Sequence, residues 1–147
     1  MWHEHVPWKN NCRMISKRFK KIILLLIAVI YFHGVEEIVT GFYSRDWIMN
    51  YFSSFFSSVP QAHYYSSHIV WWLMIGPALL LAFGGKWRLY ILTFFGLFFV
   101  VELHHLLDAV RTLNYYPGVL TNIVLEIVGF FYWKELIIHW KQSNNAN

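Results

Sequence analysis

The chain has 147 residues, enough for one domain, and only 14% of them are charged against 57% apolar and 20% aromatic. Soluble domains carry about a quarter charged residues, so the composition excludes an ordinary water-soluble fold. The formal charge of +4 does not point to nucleic acid. Half of all Lys and Arg (Lys9, Arg13, Lys17, Arg18, Lys20 and Lys21) precede the first apolar run, where they set membrane orientation.

Residues 1–21 form a basic N-terminal segment, and Met14-Ile15-Ser16-Lys17-Arg18 reads as a natural start, with residues 1–13 as an extension without a fold. Cys12 is the single cysteine, which excludes an intramolecular disulfide and a thiolate metal cluster. It is read as an inert thiol. The apolar run from Ile22 has no small-residue cleavage site and continues into His33, Glu36 and Glu37, so it is a retained helix and not a signal peptide.

A membrane domain follows over residues 22–140, all-α, as an antiparallel bundle of four transmembrane helices. The spans are Ile22–Phe42, His68–Gly84, Leu89–Leu113 and Gly118–Trp140, each near the roughly 20 residues that cross a bilayer. The second is the shortest, and Gly76-Pro77 should kink it. Between the first two, Trp47 to Pro60 places Trp47, Ile48, Tyr51, Phe52, Phe55 and Phe56 at helical spacing among serines, the pattern of a short helix in the interface. Gly84-Gly85 and Asn114-Tyr115-Tyr116-Pro117-Gly118 are tight connections, which makes consecutive helices antiparallel neighbours. Trp71, Trp72 and Trp87 are belt aromatics, and residues 141–147 are a polar tail. Ten Lys and Arg lie on the side of the two termini and only Arg45 and Arg111 on the other, so both termini should be cytoplasmic.

The spans carry groups that hydrocarbon disfavours. His33, Glu36 and Glu37 sit at i, i+3 and i+4 in the first, Glu102 and His105 at i, i+3 in the third, and Asn122 and Glu126 one turn apart in the fourth. At about 1.5 Å per residue these acids and imidazoles fall in one layer, roughly 17 to 24 Å above the cytoplasmic boundary. His68, at the outer start of the second span, can join only from above. An ionisable group at the membrane centre costs about 2.5 to 3.5 kcal/mol, so several together must be paired, protonated or bound to a cation. Carboxylate-bridged metal sites in helical bundles use this kind of His/Glu spacing, and a donor set without thiolate leaves iron, zinc and manganese open. The plainer alternative, hydrogen-bonding glue between helices, needs only one or two such residues. His104 projects away from Glu102 and pairs most simply with Asp108 at i+4, while Asp108 can equally bind Arg111.

His33-Gly34-Val35-Glu36-Glu37 in a first membrane helix, followed by His105 and by Tyr116-Pro117-Gly118 with Thr121, resembles the HXXEE-domain family of small integral membrane proteins. The resemblance covers about Ile22 to Trp140. It implies a metal or catalytic site at His33, Glu36, Glu37 and His105, and no settled reaction. Where the family pattern has an amide near Asp108, this chain has an acid. Glu102 and Glu126 enter from helix geometry alone.

The leading functional expectation is a metal-dependent membrane enzyme, an oxidoreductase or a hydrolase, acting on a lipidic substrate. His33, Glu36, Glu102, His105 and Glu126 would be metal ligands or their supports, and Glu37 the general acid or base. One alternative is a metal-independent acid/base isomerase of an isoprenoid or sterol-like lipid, in which a desolvated acid protonates a double bond. Another is a proton- or ion-relay transport protein, which would need several copies to form a conduit. Neither a hydrolase triad nor a phosphate-binding glycine loop is present.

Overall fold

The computed structural model describes residues 15–56, 60–81 and 87–145. Those residues are all-α: α1 (Lys17–Thr40), α2 (Phe42–Arg45), α3 (Trp47–Phe56), α4 (Pro60–Leu81), α5 (Arg88–Thr112) and α6 (Val119–Asn144). The belt assignment of the Trp71 and Trp72 side chains, the Gly84-Gly85 turn and Cys12 lie outside the described residues.

Local sequence sets the helix ends. Ser16 caps α1 by accepting a hydrogen bond from the Phe19 amide at 3.0 Å, and its own amide donates to His139 Nε2 on α6 at 3.1 Å. Gly41 ends α1 in the left-handed region at φ 75°, which divides the first expected span from the short α2. At the end of α5, Leu113 takes the left-handed conformation usually left to glycine.

Paired contacts fix the directions. The start of α1 meets the end of α6 through Ser16 and His139, and its far end meets the start of α6 through His33 and Thr121, so α1 and α6 are antiparallel. Tyr132 donates to the Leu92 carbonyl, Trp140 to Thr93, and Asn122 to the Glu102 carbonyl, so α5 and α6 are antiparallel too. α1 therefore runs parallel to α5, with α6 packed along both. α4 packs on α1 and α3 and also meets α5.

The second expected span needed correction at its start. α4 begins at Pro60, eight residues before His68, because its opening turns (Gln61, His63, Ser66, Ser67) are polar and carry no hydropathy signal. It continues helically through Pro77. The stretch of aromatics and serines after Asp46 does form a helix, α3, which ends at Phe56.

The core is one stripe per helix. On α1 the buried positions include Phe19, Ile23, Leu26, Ile30, His33 and Glu37, and on α5 they are Leu89, Leu92, Gly96, Phe99, Glu102 and His105. The alternation of three and four residues that buries leucine and isoleucine thus also buries the polar groups. Outside the stripe the helices stay apolar: Phe32, Val39, Val100 and Phe130 are all at least 60% exposed. α1 and α5 are long and apolar enough to cross a membrane.

Close helix approach depends on glycine at two α5/α6 contacts. A Cβ at Gly129 would lie 2.6 Å from Phe99, and one at Gly96 would lie 2.7 Å from Trp133. Gly129→Ala is expected to cost about 1 to 3 kcal/mol through overpacking, seen as a lower midpoint of thermal unfolding in mild detergent. Phe99→Leu in the same chain should recover part of the loss.

Candidate metal centre

The polar end of the stripe brings His33, Glu37, Glu102 and His105 together, all buried, with one ligand atom from each lying within 4.8 Å of all the others. His33 Nε2 is 3.0 Å from Glu102 Oε2 and 3.6 Å from Glu37 Oε1. His105 Nε2 is 3.0 Å from Glu37 Oε1 and 3.1 Å from Glu102 Oε2. Ligands held at about 2.1 Å from one ion sit roughly 3.0 to 3.4 Å from each other. Three of the four separations fall in that range and the fourth lies just above it.

The other ring nitrogens explain why these imidazoles face inward as they do. His105 Nδ1 lies 2.7 Å from the Pro117 carbonyl, which can only accept, so Nδ1 carries a proton. His33 Nδ1 lies 2.9 Å from Thr121 Oγ1. The single proton of that hydroxyl goes to Glu36 Oε2 at 2.5 Å in preference to the Gly118 carbonyl at 3.3 Å, so Thr121 accepts from His33 Nδ1–H. A neutral imidazole protonated at Nδ1 presents its Nε2 lone pair. Both rings thus turn Nε2 towards two carboxylates, as a lone pair for a cation when the ring is neutral or as a donor when it is doubly protonated, and His33 Nε2 lies at hydrogen-bond distance, 3.0 Å, from Glu102 Oε2. His105 Nε2 makes no hydrogen bond of good geometry although two carboxylate oxygens lie 3.0 and 3.1 Å away. Divalent cations suit this donor set, two imidazoles and two carboxylates without thiolate, and an acceptor on each Nδ1 proton, here Thr121 and the Pro117 carbonyl, is the usual support of a histidine ligand.

Of the motif's adjacent glutamates, expected as a ligand (Glu36) and as the general acid or base (Glu37), the structure brings only Glu37 into the group. Glu37 lies in the group and also has its second oxygen 2.6 Å from His68 Nε2 on α4, so His68 does reach the layer. Glu36 lies outside the group. It accepts from the Leu120 amide (3.2 Å), the Thr121 amide (2.8 Å), the Thr121 hydroxyl and the Tyr115 hydroxyl (2.7 Å). It caps α6 from another helix, because Gly118 has no side chain to do so. The physical reason is rotation: successive residues on a helix diverge by about 100°, so only one of the pair can follow His33 into the core.

Glu126 is also outside the group, half-buried on α6, and its Oε1 is buried without a partner. His104 corrects another expectation. Its Nε2 faces Asp46 at 3.6 Å and its Nδ1 bonds the Val101 carbonyl, while Asp108 faces Arg111 at 3.6 Å. Asp46 is buried and accepts from the Tyr116 hydroxyl at 2.9 Å. Burial, with the Asp46 charge beside it, pushes the Tyr116 phenol above its ordinary value and keeps it a donor.

Sequence reasoning gave no role to Asp46, Tyr115 or the Pro117 carbonyl. The Tyr-Pro-Gly run was their signal. Tyr116 ties to Asp46, Pro117 orients His105, and Gly118 comes flush against both imidazoles, where a Cβ would lie 2.9 Å from His33 and 3.0 Å from His105. Its φ of 84° further requires glycine.

Fold and site together define an all-α protein with two helices able to cross a membrane and a buried His/Glu group able to hold a metal ion. The chain belongs to the HXXEE family, described as proteins of unknown function with the HXXEE motif, whose model matches residues 24–133. No curated protein and no solved structure matches the chain.

The tautomers are directly testable. Nitrogen-15 spectra of histidine-labelled protein should show His33 and His105 both protonated at Nδ1. Thr121→Val should release the His33 proton to mixed tautomers while leaving His105 fixed by Pro117. Gly118→Ala should disturb both rings at once.

Proposed function

We propose that the chain is an integral membrane protein in which α1, α4, α5 and α6 span the bilayer, and that its His33/Glu37/Glu102/His105 group holds a divalent metal ion, iron, zinc or manganese, for an enzymatic reaction on a lipidic substrate. The observation that carries this reading is the convergence of two imidazole Nε2 atoms and two carboxylates in one buried group, with both Nδ1 atoms already engaged elsewhere. Left without a cation or added protons, such a group would cost several kcal/mol in desolvation and repulsion.

Spanning by α4 and α6 is supported by their exposed apolar residues, Ile69, Val70, Leu73 and Met74 on one and Ile123, Ile127 and Phe130 on the other. The antiparallel pairing of α1 with α6 brings the start of the first and the end of the last to one side. The excess of Lys and Arg there makes that side cytoplasmic. The centre then lies in the outer half of the hydrocarbon layer.

Four protein ligands leave open positions only on an ion that accepts more than four. An enzymatic role therefore favours iron or manganese over tetrahedral zinc. The bound ion would supply Lewis acidity, or redox chemistry in the case of iron. The chain supplies the rest. Thr121 and Pro117 hold the imidazoles, His68 holds the outer oxygen of Glu37, and the apolar stripe excludes water.

Purification in mild detergent, without chelators or a histidine-rich tag, followed by elemental mass spectrometry tests the reading. Wild type should carry about one equivalent of metal, as a single four-residue group implies. His33→Ala, Glu37→Gln, Glu102→Gln and His105→Ala should lose it. Glu36→Gln should keep it while losing about 1 kcal/mol of stability as a weakened cap. Metal-free wild type after reconstitution with each ion would overturn the metal reading and leave acid/base isomerisation, for which Glu37→Gln should abolish turnover.

A further inference from the structure

The metal centre leaves two buried acceptors on α6 unused. Asn122 is fully buried, and its Nδ2 donates to the Glu102 backbone carbonyl at 2.8 Å, yet its Oδ1 has no partner. One turn along, Glu126 buries Oε1 with no partner either. Both lie on the flank of α6 that faces α5, since Asn122 bonds Glu102 there and Trp133, two turns beyond Glu126, donates to the Gly96 carbonyl at 3.1 Å.

Burying an acceptor without a donor costs about 1 to 3 kcal/mol, and more for a carboxylate. Asn122 does tie α6 to α5 through Nδ2, but its Oδ1 and Glu126 Oε1 stay unpaired. Glu126 is only half-buried, and its neighbours Ile123, Ile127 and Phe130 are exposed apolar side chains. It therefore stands in the α5/α6 seam between the apolar outer surface and the centre, within electrostatic reach of Glu102 and His33. A molecule entering along that seam meets acceptors and carboxylates.

We infer that Asn122 and Glu126 form the polar subsite for the substrate of this centre, and that it takes a hydrogen-bond donor without negative charge, the hydroxyl or ammonium of an amphiphile, and rejects anionic head groups. This rests on the enzymatic reading of the centre. Two free acceptors one helical turn apart match a group that offers protons. A carboxylate, sulfonate or phosphate would bring further acceptors beside Glu126 and Glu102, where like charges in low dielectric repel strongly.

The test uses the full chain in phosphatidylcholine vesicles, photolabelled with diazirine-bearing alkyl probes of equal length ending in an alcohol, an ammonium or a sulfonate, with labelled peptides identified by mass spectrometry. The alcohol and ammonium probes should label the α5/α6 seam around residues 98–106 and 120–130 several-fold more than the sulfonate. Asn122→Leu and Glu126→Leu should each cut that labelling about tenfold, the loss of one hydrogen bond to a strong acceptor, while labelling on the exposed face of α4 stays constant. Sulfonate labelling equal to that of the alcohol, or labelling unchanged in both variants, would overturn the inference. Metal content of the same samples separates the two readings. Metal-free wild type that still shows the selective labelling removes the metal centre but keeps the subsite, whereas metal-loaded protein with unselective labelling does the reverse. Loss of metal in Glu126→Leu would make Glu126 a ligand and also overturn the subsite.

Discussion

Two carboxylates and the Nε2 atoms of two imidazoles meet inside an apolar core, an arrangement that only a cation or added protons can hold. Much of the molecule serves that meeting. α1 and α5 bring their ligands in on the same stripe that packs leucine and isoleucine, so the site is registered by the hydrophobic core and not by a loop. α6 contributes no ligand to the group, yet its first turn and the connection before it direct both imidazoles, through Thr121 and the Pro117 carbonyl.

The division of labour within His33-Gly-Val-Glu36-Glu37 follows from that geometry. His33 and Glu37, at i and i+4, share one face and enter the group, while Glu36 turns away and holds the start of α6. A carboxylate that accepts four hydrogen bonds while capping a helix is well matched to the partial positive charge there. Through Thr121 it also stands behind His33, so the cap and the ligand are one chain of hydrogen bonds. The motif thus spans two tasks, one at the centre and one at the junction of helices.

Periodicity and hydropathy made α1 and α5 legible, together with the layer in which His33, Glu102 and His105 meet, because long apolar runs and helical rise are strong signals. They did not reveal the start of α4, whose first turns are polar. Nor could they order Glu36 and Glu37. Both lie close to the helical face of His33, and the choice depends on where α6 docks, a long-range fact absent from local spacing. The pairing of His104 with Asp46 was hidden for the same reason. Asp46 lies 58 positions earlier in the chain and is brought near by the turn at Gly41. Tyr-Pro-Gly was visible as a motif, but its action is mainly through a backbone carbonyl and a missing Cβ, neither of which residue type alone displays.

The cap supplied by Glu36 has a consequence for how the molecule is made. The amide groups at the start of α6 are satisfied by a residue synthesised more than eighty positions earlier, and α6 packs along both α1 and α5. The nascent chain therefore contains all four candidate ligands before Pro117 and Thr121, which orient the two imidazoles, have been made. Completion of the centre is tied to the synthesis of α6 and the connection before it. A truncated product would carry the acids and histidines without the means to direct them.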